Sequence, residues 1–285
     1  MDRYTKKGYL YDNFKIFHLL DTNLKEIDFH YHDFHKVLIH LSGNTSYSIE
    51  GQTFDLQSDD IVFVTAGEVH RPIFHDNSPY ERIIIYISKE FLAEYSQDEN
   101  DLSYCFRNAM EKGSHVLRLR SFKNSKVAAA VGRLTANVGE DDYANELLMQ
   151  VLFLEFMVEL NRAAISDEVE YISTNYSGSK IGEIITYINE HLAEDLSVDA
   201  IAGKFFLSRY YLMHTFKEET GYTIGNYITI KRLAAAQSLI DDGIAIVDAA
   251  ERSGFGTYST FLRAYKKTYG TSPKKRLVSQ ASLSF

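Results

Sequence analysis

Between about residues 8 and 95 the apolar positions fall in short, partly alternating runs. The segments KVLIHLSG, TSYSIEG, DIVFVTAG and YERIIIYIS are rich in β-branched and aromatic residues and are separated by Gly, Asn, Asp and Ser turn signals. This is the texture of strands in an antiparallel barrel or sandwich. Near Lys123 the period lengthens: SKVAAAVGRLTANV and YANELLMQVLFLEFMVELNRAA repeat apolar residues at three- and four-residue steps, which predicts two helices. In the second, Leu147, Leu148, Val151, Leu152 and Phe156 form a stripe broader than packing on a small sheet requires, so burial against a second copy of the chain competes with packing within its own domain.

Residues 166–179, SDEVEYISTNYSGS, are polar and aperiodic and read as a linker. Every later segment has helical character, and two stretches are alike. AGKFFLSRYYLMHTFKEETGYTI and AERSGFGTYSTFLRAYKKTYGTSP share an alanine (Ala202, Ala250), an aromatic-lysine pair (Phe216-Lys217, Tyr265-Lys266) and a glycine five residues after the aromatic (Gly221, Gly270). Each predicts a short helix, a tight turn and a second helix opened by a hydroxyl residue, Ser208 or Thr257, able to accept from the first unpaired backbone N–H groups. That is the helix-turn-helix layout. Helical spacing puts Leu212, Thr215 and Phe216 on one face of the first such helix and Tyr210, Met213, His214 and Lys217 on the other. In the second it buries Phe261, Ala264 and Tyr265 and exposes Ser259, Leu262, Arg263 and Lys266.

Charge sharpens this picture. The 285-residue chain has a formal net charge of -9, yet residues 179–285 hold 13 basic and 11 acidic side chains, and residues 254–276 hold six Lys and Arg and no acid. Positive charge gathered at one end of an acidic protein points to a polyanionic partner there. A guanidinium such as Arg263 can bond guanine edges, Ser259 can serve either base type, and Met213 or Leu262 can touch a thymine methyl. Lys267, Lys274, Lys275 and Arg276 are placed to neutralise phosphates. No apolar run is long enough to cross a bilayer and no secretory signal opens the chain, so a cytoplasmic protein with no membrane partner is expected. Cys105 is the sole cysteine and reads as a small buried hydrophobe.

On these residues the last hundred positions resemble the DNA-binding domain of AraC/XylS-type transcription regulators. The resemblance implies base or groove contacts from Tyr210, Met213 and His214 in the first unit and from Tyr258, Ser259, Leu262 and Arg263 in the second. Arg209, Lys217, Thr257, Lys266 and Lys267 complete the expected DNA-binding set. Phe206 stands where the first turn often has a small residue. The front half resembles the small cupin barrel that senses effectors in many members of this family: His30-x-His32, Lys36 and Gly43 follow one cupin motif in spacing, and Gly67 with His70 follows the other. Lys36 occupies the usual glutamate position, and Asp59 and Thr65 stand where glycine and proline are common. Because an ammonium group in the first shell repels a divalent ion, neither a metal nor any other cofactor is expected. His30, His32, Lys36 and His70 are instead expected to bind a small effector, a sugar or an organic acid.

The expected organisation has two domains. A cupin-like, jelly-roll-type antiparallel barrel occupies 1–121, a helical dimerisation or packing segment 122–165, a linker 166–179, and an all-α domain with two helix-turn-helix units 180–285. The function implied is a sequence-specific DNA-binding transcription regulator, an activator and not an enzyme. Its expected partners are promoter duplex, a small effector, RNA polymerase and, through residues 142–165, a second copy of itself. The competing reading is a metal-dependent cupin enzyme with an appended DNA-binding domain. A third, an alkyl-transfer repair protein, needs an activated cysteine, and the surroundings of Cys105 in the sequence supply no pattern for one.

Overall fold

The computed structural model of the protein describes residues 10, 12–96, 100–172, 180–241 and 243–275. The chain divides into two compact units, one of Lys7–Ser177 and one of Gly178–Phe285 together with Met1–Lys6.

The first unit runs β1 (Phe14–Asp21), β2 (His35–Ser42), β3 (Thr45–Ile49), β4 (Gln52–Asp55), β5 (Ile61–Val64), β6 (His70–Phe74), β7 (Tyr80–Ile87), α1 (Lys89–Glu94), α2 (Tyr104–Glu111), β8 (Val116–Leu119), α3 (Lys126–Ala136), α4 (Asn145–Ile165) and β9 (Val169–Tyr171). The strands form a six-stranded sheet, β1-β7-β2-β5-β8-β9, and a three-stranded sheet, β4-β3-β6. All pairings are antiparallel.

Successive side chains on a strand point to opposite faces, and here both faces of the large sheet are covered. Val37, Ile39, Ile61, Phe63, Ile83 and Ile85 point to the face roofed by the helices, where they meet Phe91, Phe106, Val131, Phe153 and Phe156. Leu38, Val62, Val64 and Ile84 point the other way, into the barrel, against Tyr47, Ile49 and Phe54 of the small sheet. Two cores on two faces explain why these strands read as nearly continuous apolar runs. Lys36 shares the parity of Leu38, so its side chain faces the barrel interior.

Two expectations change, and one left open between packing within the domain and burial against a second copy narrows. The segment expected as a linker begins as structure: Val169–Tyr171 pairs with β8, Leu117 opposite Tyr171 and Leu119 opposite Val169, and Ser114 Oγ donates to the carbonyl of Ile172 at 2.7 Å. A polar, half-exposed edge strand of three residues carries too few apolar positions to show a period; residues 173–179 of that segment lie outside the described residues. The helical segment belongs to the same compact unit as the barrel, because Phe153, Phe156, Met157 and Leu160 of α4 complete the core beneath the sheet. Finally, the predicted α4 stripe splits. Leu152 and Phe156 are buried, whereas Leu147, Leu148 and Val151 are exposed, Val151 by 55%.

The second unit is helical among its described residues: α5 (Lys180–Glu190), α6 (Val198–Lys204), α7 (Arg209–Thr220), α8 (Ile224–Asp241), α9 (Ile246–Arg252) and α10 (Tyr258–Tyr269). The boundaries are set by local chemistry. Ser208 accepts from the Tyr211 N–H and Thr257 from the Thr260 N–H, each capping a helix start. Gly221 and Gly270 end the same helices in the left-handed conformation. Leu233, Ala236 and Ile240 of α8 pack with Ala249, Ala250, Phe261 and Tyr265, and the Tyr265 hydroxyl donates to Gln237 Oε1 inside that core. Arg232 of α8 ties the α5–α6 connection down, its Nε and Nη2 donating at 2.8 Å to the carbonyls of Leu192 and Glu194.

Candidate nucleic-acid interface and ligand site

The two repeats fold as α6-turn-α7 and α9-turn-α10. In α7 the structure buries Leu212, Phe216 and Thr220 and exposes Tyr210, Met213, His214 and Lys217. In α10 it buries Phe261 and Tyr265 and exposes Tyr258, Ser259, Arg263, Lys266 and Lys267. Leu262 is half-buried, leaving only part of its side chain on the exposed face. Thr257 is exposed, but its hydroxyl is engaged as the cap. Arg209 is exposed and its Nη1 reaches both oxygens of Asp199 on α6, at 3.0 and 3.1 Å, which orients the guanidinium at the mouth of the first unit. Tyr210 stacks on His214, with ring centroids 5.8 Å apart. Lys274 and Lys275 are exposed, and Arg276 lies outside the described residues. Each unit thus offers a helix whose solvent face mixes cations, hydrogen-bonding groups and apolar tips, held by a tight turn and a capped start.

The turns differ. Gly254 in the second unit has φ +91, and a Cβ there would lie 2.0 Å from the Leu192 carbonyl oxygen and 2.8 Å from Arg232 Nε. Phe206, its counterpart in the first unit, adopts the same left-handed region at φ 56 with its ring 94% exposed. Glycine is obligatory only where the turn meets the α5–α6 connection.

Inside the barrel the structure gathers the other predicted group. His30 and His70 are joined as a β-bridge, N–H to carbonyl in both directions at 3.1 and 2.9 Å, and the Gly67 N–H donates to the His32 carbonyl at 2.7 Å. These bonds bring the two sequence motifs together. One ring nitrogen from each of His30, His32 and His70 lies within 4.8 Å of the other two, and all three residues are buried. The His30 and His70 ring centroids are 4.4 Å apart. A carbonyl oxygen can only accept, so His30 Nδ1, 2.8 Å from the Asp28 carbonyl, and His70 Nδ1, 3.0 Å from that of Glu68, carry protons, and in a neutral ring so held the lone pair lies on Nε2. Burial, reinforced by Lys36 and the other two imidazoles, holds His70 well below the usual histidine range, so it is neutral.

Lys36 is buried beside them and its Nζ donates to the Tyr47 hydroxyl at 2.7 Å. Burial, with Arg82 adding to it, lowers the Lys36 amine to about 7. The neighbouring acids have other tasks: Glu50 accepts from the Val69 N–H at 2.7 Å, Glu68 from the Thr65 N–H at 2.7 Å, and Asp60 holds Arg118 through two bonds of 2.7 Å. Three buried imidazoles with ring nitrogens within reach of one another, two of them held at Nδ1 by backbone carbonyls, fit the donor set that a borderline-soft divalent cation requires. The sequence argument against a metal treated Lys36 as occupying a ligand position; in the structure Tyr47 takes up its amine. Tyr47, with Phe34 and Tyr86 around His32, was not anticipated. Strand parity points Tyr86 inward, but only cross-strand register brings it to the histidines. Cys105 is buried and burial pushes its thiol up, so it is not an activated nucleophile.

Two helix-turn-helix units whose solvent faces carry cations and hydrogen-bonding groups, in one chain with a barrel that encloses a polar cluster, define a DNA-binding regulator with an N-terminal ligand-binding domain. Comparison with known proteins agrees. Residues 19–157 match the AraC-like ligand binding domain and residues 201–277 match a helix-turn-helix domain. The HTH-type transcriptional activator RhaS of Shigella sonnei (strain Ss046) is 26% identical over 264 residues, 90% of each chain. Its counterpart in Escherichia coli O127:H6 is 25% identical over the same length and share. Among solved structures, ToxT from Vibrio cholerae O395 aligns with 93% of this chain and 97% of its own at 16% identity and a TM-score of 0.38. The two domain matches together with the RhaS relatives support an AraC-family regulator.

Proposed function

We propose that this protein is a non-enzymatic transcriptional activator of the cytoplasm, whose barrel binds a small effector and whose two helix-turn-helix units read adjacent segments of one promoter. The observation that carries this reading is the duplicated capped helix, α7 and α10, with a cationic solvent face on α10. Tyr210, Met213, His214, Tyr258, Ser259, Leu262 and Arg263 are the base-reading set; Arg209, Lys217, Thr257, Lys266 and Lys267 anchor phosphates. His30, His32, Lys36 and His70 form the effector site, an assignment supported by their convergence inside the barrel. Activator rather than repressor follows from the relatives, which are named as activators; RNA polymerase is then a partner, and a sugar or organic acid is the effector class.

A second copy of the chain is the natural occupant of the exposed α4 stripe. Leu147, Val151, Val158 and Ile165 are all exposed and recur at steps of four and seven residues, which are coiled-coil-compatible. An antiparallel partner would set Val151 of each copy against Val158 of the other, giving a self-complementary isologous seam.

The test uses the full chain and an operator selected from a random-sequence pool. Arg263→Ala is expected to cost about 1–3 kcal/mol and to relax preference at one base pair, whereas Lys267→Ala weakens binding to all sequences alike and reduces the salt slope by about one. Equal affinity of the unmodified protein for selected and scrambled duplexes at physiological salt refutes the proposal.

A further inference from the structure

The barrel's three-histidine cluster has a chemistry more specific than general polarity. His30, His32 and His70 are buried, their rings lie 4.4 to 5.1 Å apart by centroid, and the cluster is the only group of three His, Cys, Asp or Glu with metal-ligand proximity among the described residues. His70 Nε2 has no hydrogen-bond partner among the described residues. A buried nitrogen left unmatched costs about 1–3 kcal/mol, and at His70 a cation held between the three rings would remove that cost. The rings are held from behind: carbonyls of Asp28 and Glu68 fix two tautomers, and the His30–His70 backbone bridge fixes the spacing. Nitrogens bound to one tetrahedral ion at about 2.0–2.1 Å each lie closer together than the present 4.8 Å limit, a difference that small ring rotations close.

We propose that His30, His32 and His70 bind a divalent transition-metal ion of the zinc, cobalt or iron(II) kind, and that this ion is the ligand, or the anchor of the ligand, that the barrel senses. Imidazole donors select these ions over magnesium and calcium, which prefer oxygen. Lys36, bonded to Tyr47, sits beside the site without ligating it. The three imidazoles leave a coordination position open, which suits an effector offering a carboxylate or hydroxyl oxygen, with the Lys36 amine as its second contact. This rests on the reading of the barrel as an effector domain, and it goes further by naming the ion.

The test is a titration of chelator-stripped full-length protein with Co2+, read by its visible d–d absorption and by zinc competition, with thermal unfolding in parallel. One equivalent of Co2+ is expected, with bands in the range given by four- or five-coordinate nitrogen-ligated sites, displaced by Zn2+, and a higher Tm with the ion bound. His70→Ala and His32→Ala should lose the bands, while Lys36→Met should keep them; circular dichroism identifies any variant that fails to fold, and for such a variant His70→Gln replaces the deletion. Absence of saturable binding by Co2+, Zn2+, Ni2+ or Fe2+ in the wild-type protein overturns the inference, and so does stoichiometric binding unchanged in folded His70 and His32 variants. A metal-free protein that is stabilised by a sugar or organic acid, with the effect lost in Lys36→Met, sinks the ion while sparing the effector reading. Operator binding, measured on the same stripped protein, reports on the DNA-binding units alone.

Discussion

His35 is buried against the Phe106 ring, with centroids 4.5 Å apart, and its Nδ1 accepts weakly from the Ala66 N–H at 3.4 Å. Burial, helped by the charge of Lys89, lowers it from 6.5 to about 3. Below pH 6.5 the unfolded chain takes up a proton that the native state refuses, so the unfolded state binds more protons and stability falls as pH drops from 6.5 towards 3. At pH 5 the loss from this one group is roughly 2 kcal/mol relative to neutral pH. Urea denaturation at pH 5 and pH 7 should therefore show a smaller pH difference in His35→Phe than in the wild type. An unchanged difference removes His35 as the cause. The sequence showed a histidine here among several and no reason to single it out, because its burial under α2 depends on how the helices roof the sheet.

At the scale of elements, the two helix-turn-helix units are copies with unequal turns. Phe206 tolerates the left-handed region at an expense of about 1–2 kcal/mol, since its ring projects freely into solvent. Gly254 has no such freedom, because the Leu192 carbonyl and the Arg232 guanidinium fill the space a Cβ would need. That junction joins the entry to α6, the long helix α8 and the turn before α10, so it sets how far apart α7 and α10 are held. An 18-residue α8 is a rod of about 27 Å, and the turns flanking it extend the span towards the roughly 34 Å of one duplex turn. Gly254→Ala is expected to weaken binding to an operator with both half-sites by tenfold or more while altering binding to a single α7 half-site far less; gel-shift titrations on the two duplexes measure this. Equal losses on both would mean general unfolding rather than misplacement. The repeat, its caps and its glycines were legible in sequence because helix starts and stops are local chemistry. The Arg232–Leu192–Gly254 junction was not, since it joins residues tens of positions apart.

For the molecule as a whole, the exposed side of α4 is the surface that copies of the chain share in the proposed assembly. Val151→Glu leaves the buried Phe153 and Phe156 side untouched and puts a charge into the seam. Sedimentation should show dimer converting to monomer, and operator affinity should drop because two linked DNA-binding units gain from each other's presence; a wild-type protein that sediments as a monomer at micromolar concentration ends this reading. The division of the chain into a strand-rich and a helical unit, the duplicated docking helices and the histidine motifs were determined by the amino-acid sequence alone, because period, capping and spacing are properties of neighbouring residues. Only the tertiary structure decided that β9 extends the barrel sheet, that Leu152 is buried while Val151 next to it is not, and that Tyr47 draws the Lys36 amine aside while three imidazoles converge. Those outcomes depend on strand register and on which faces meet, and a register shift of one residue would send Lys36 to the opposite face of the sheet.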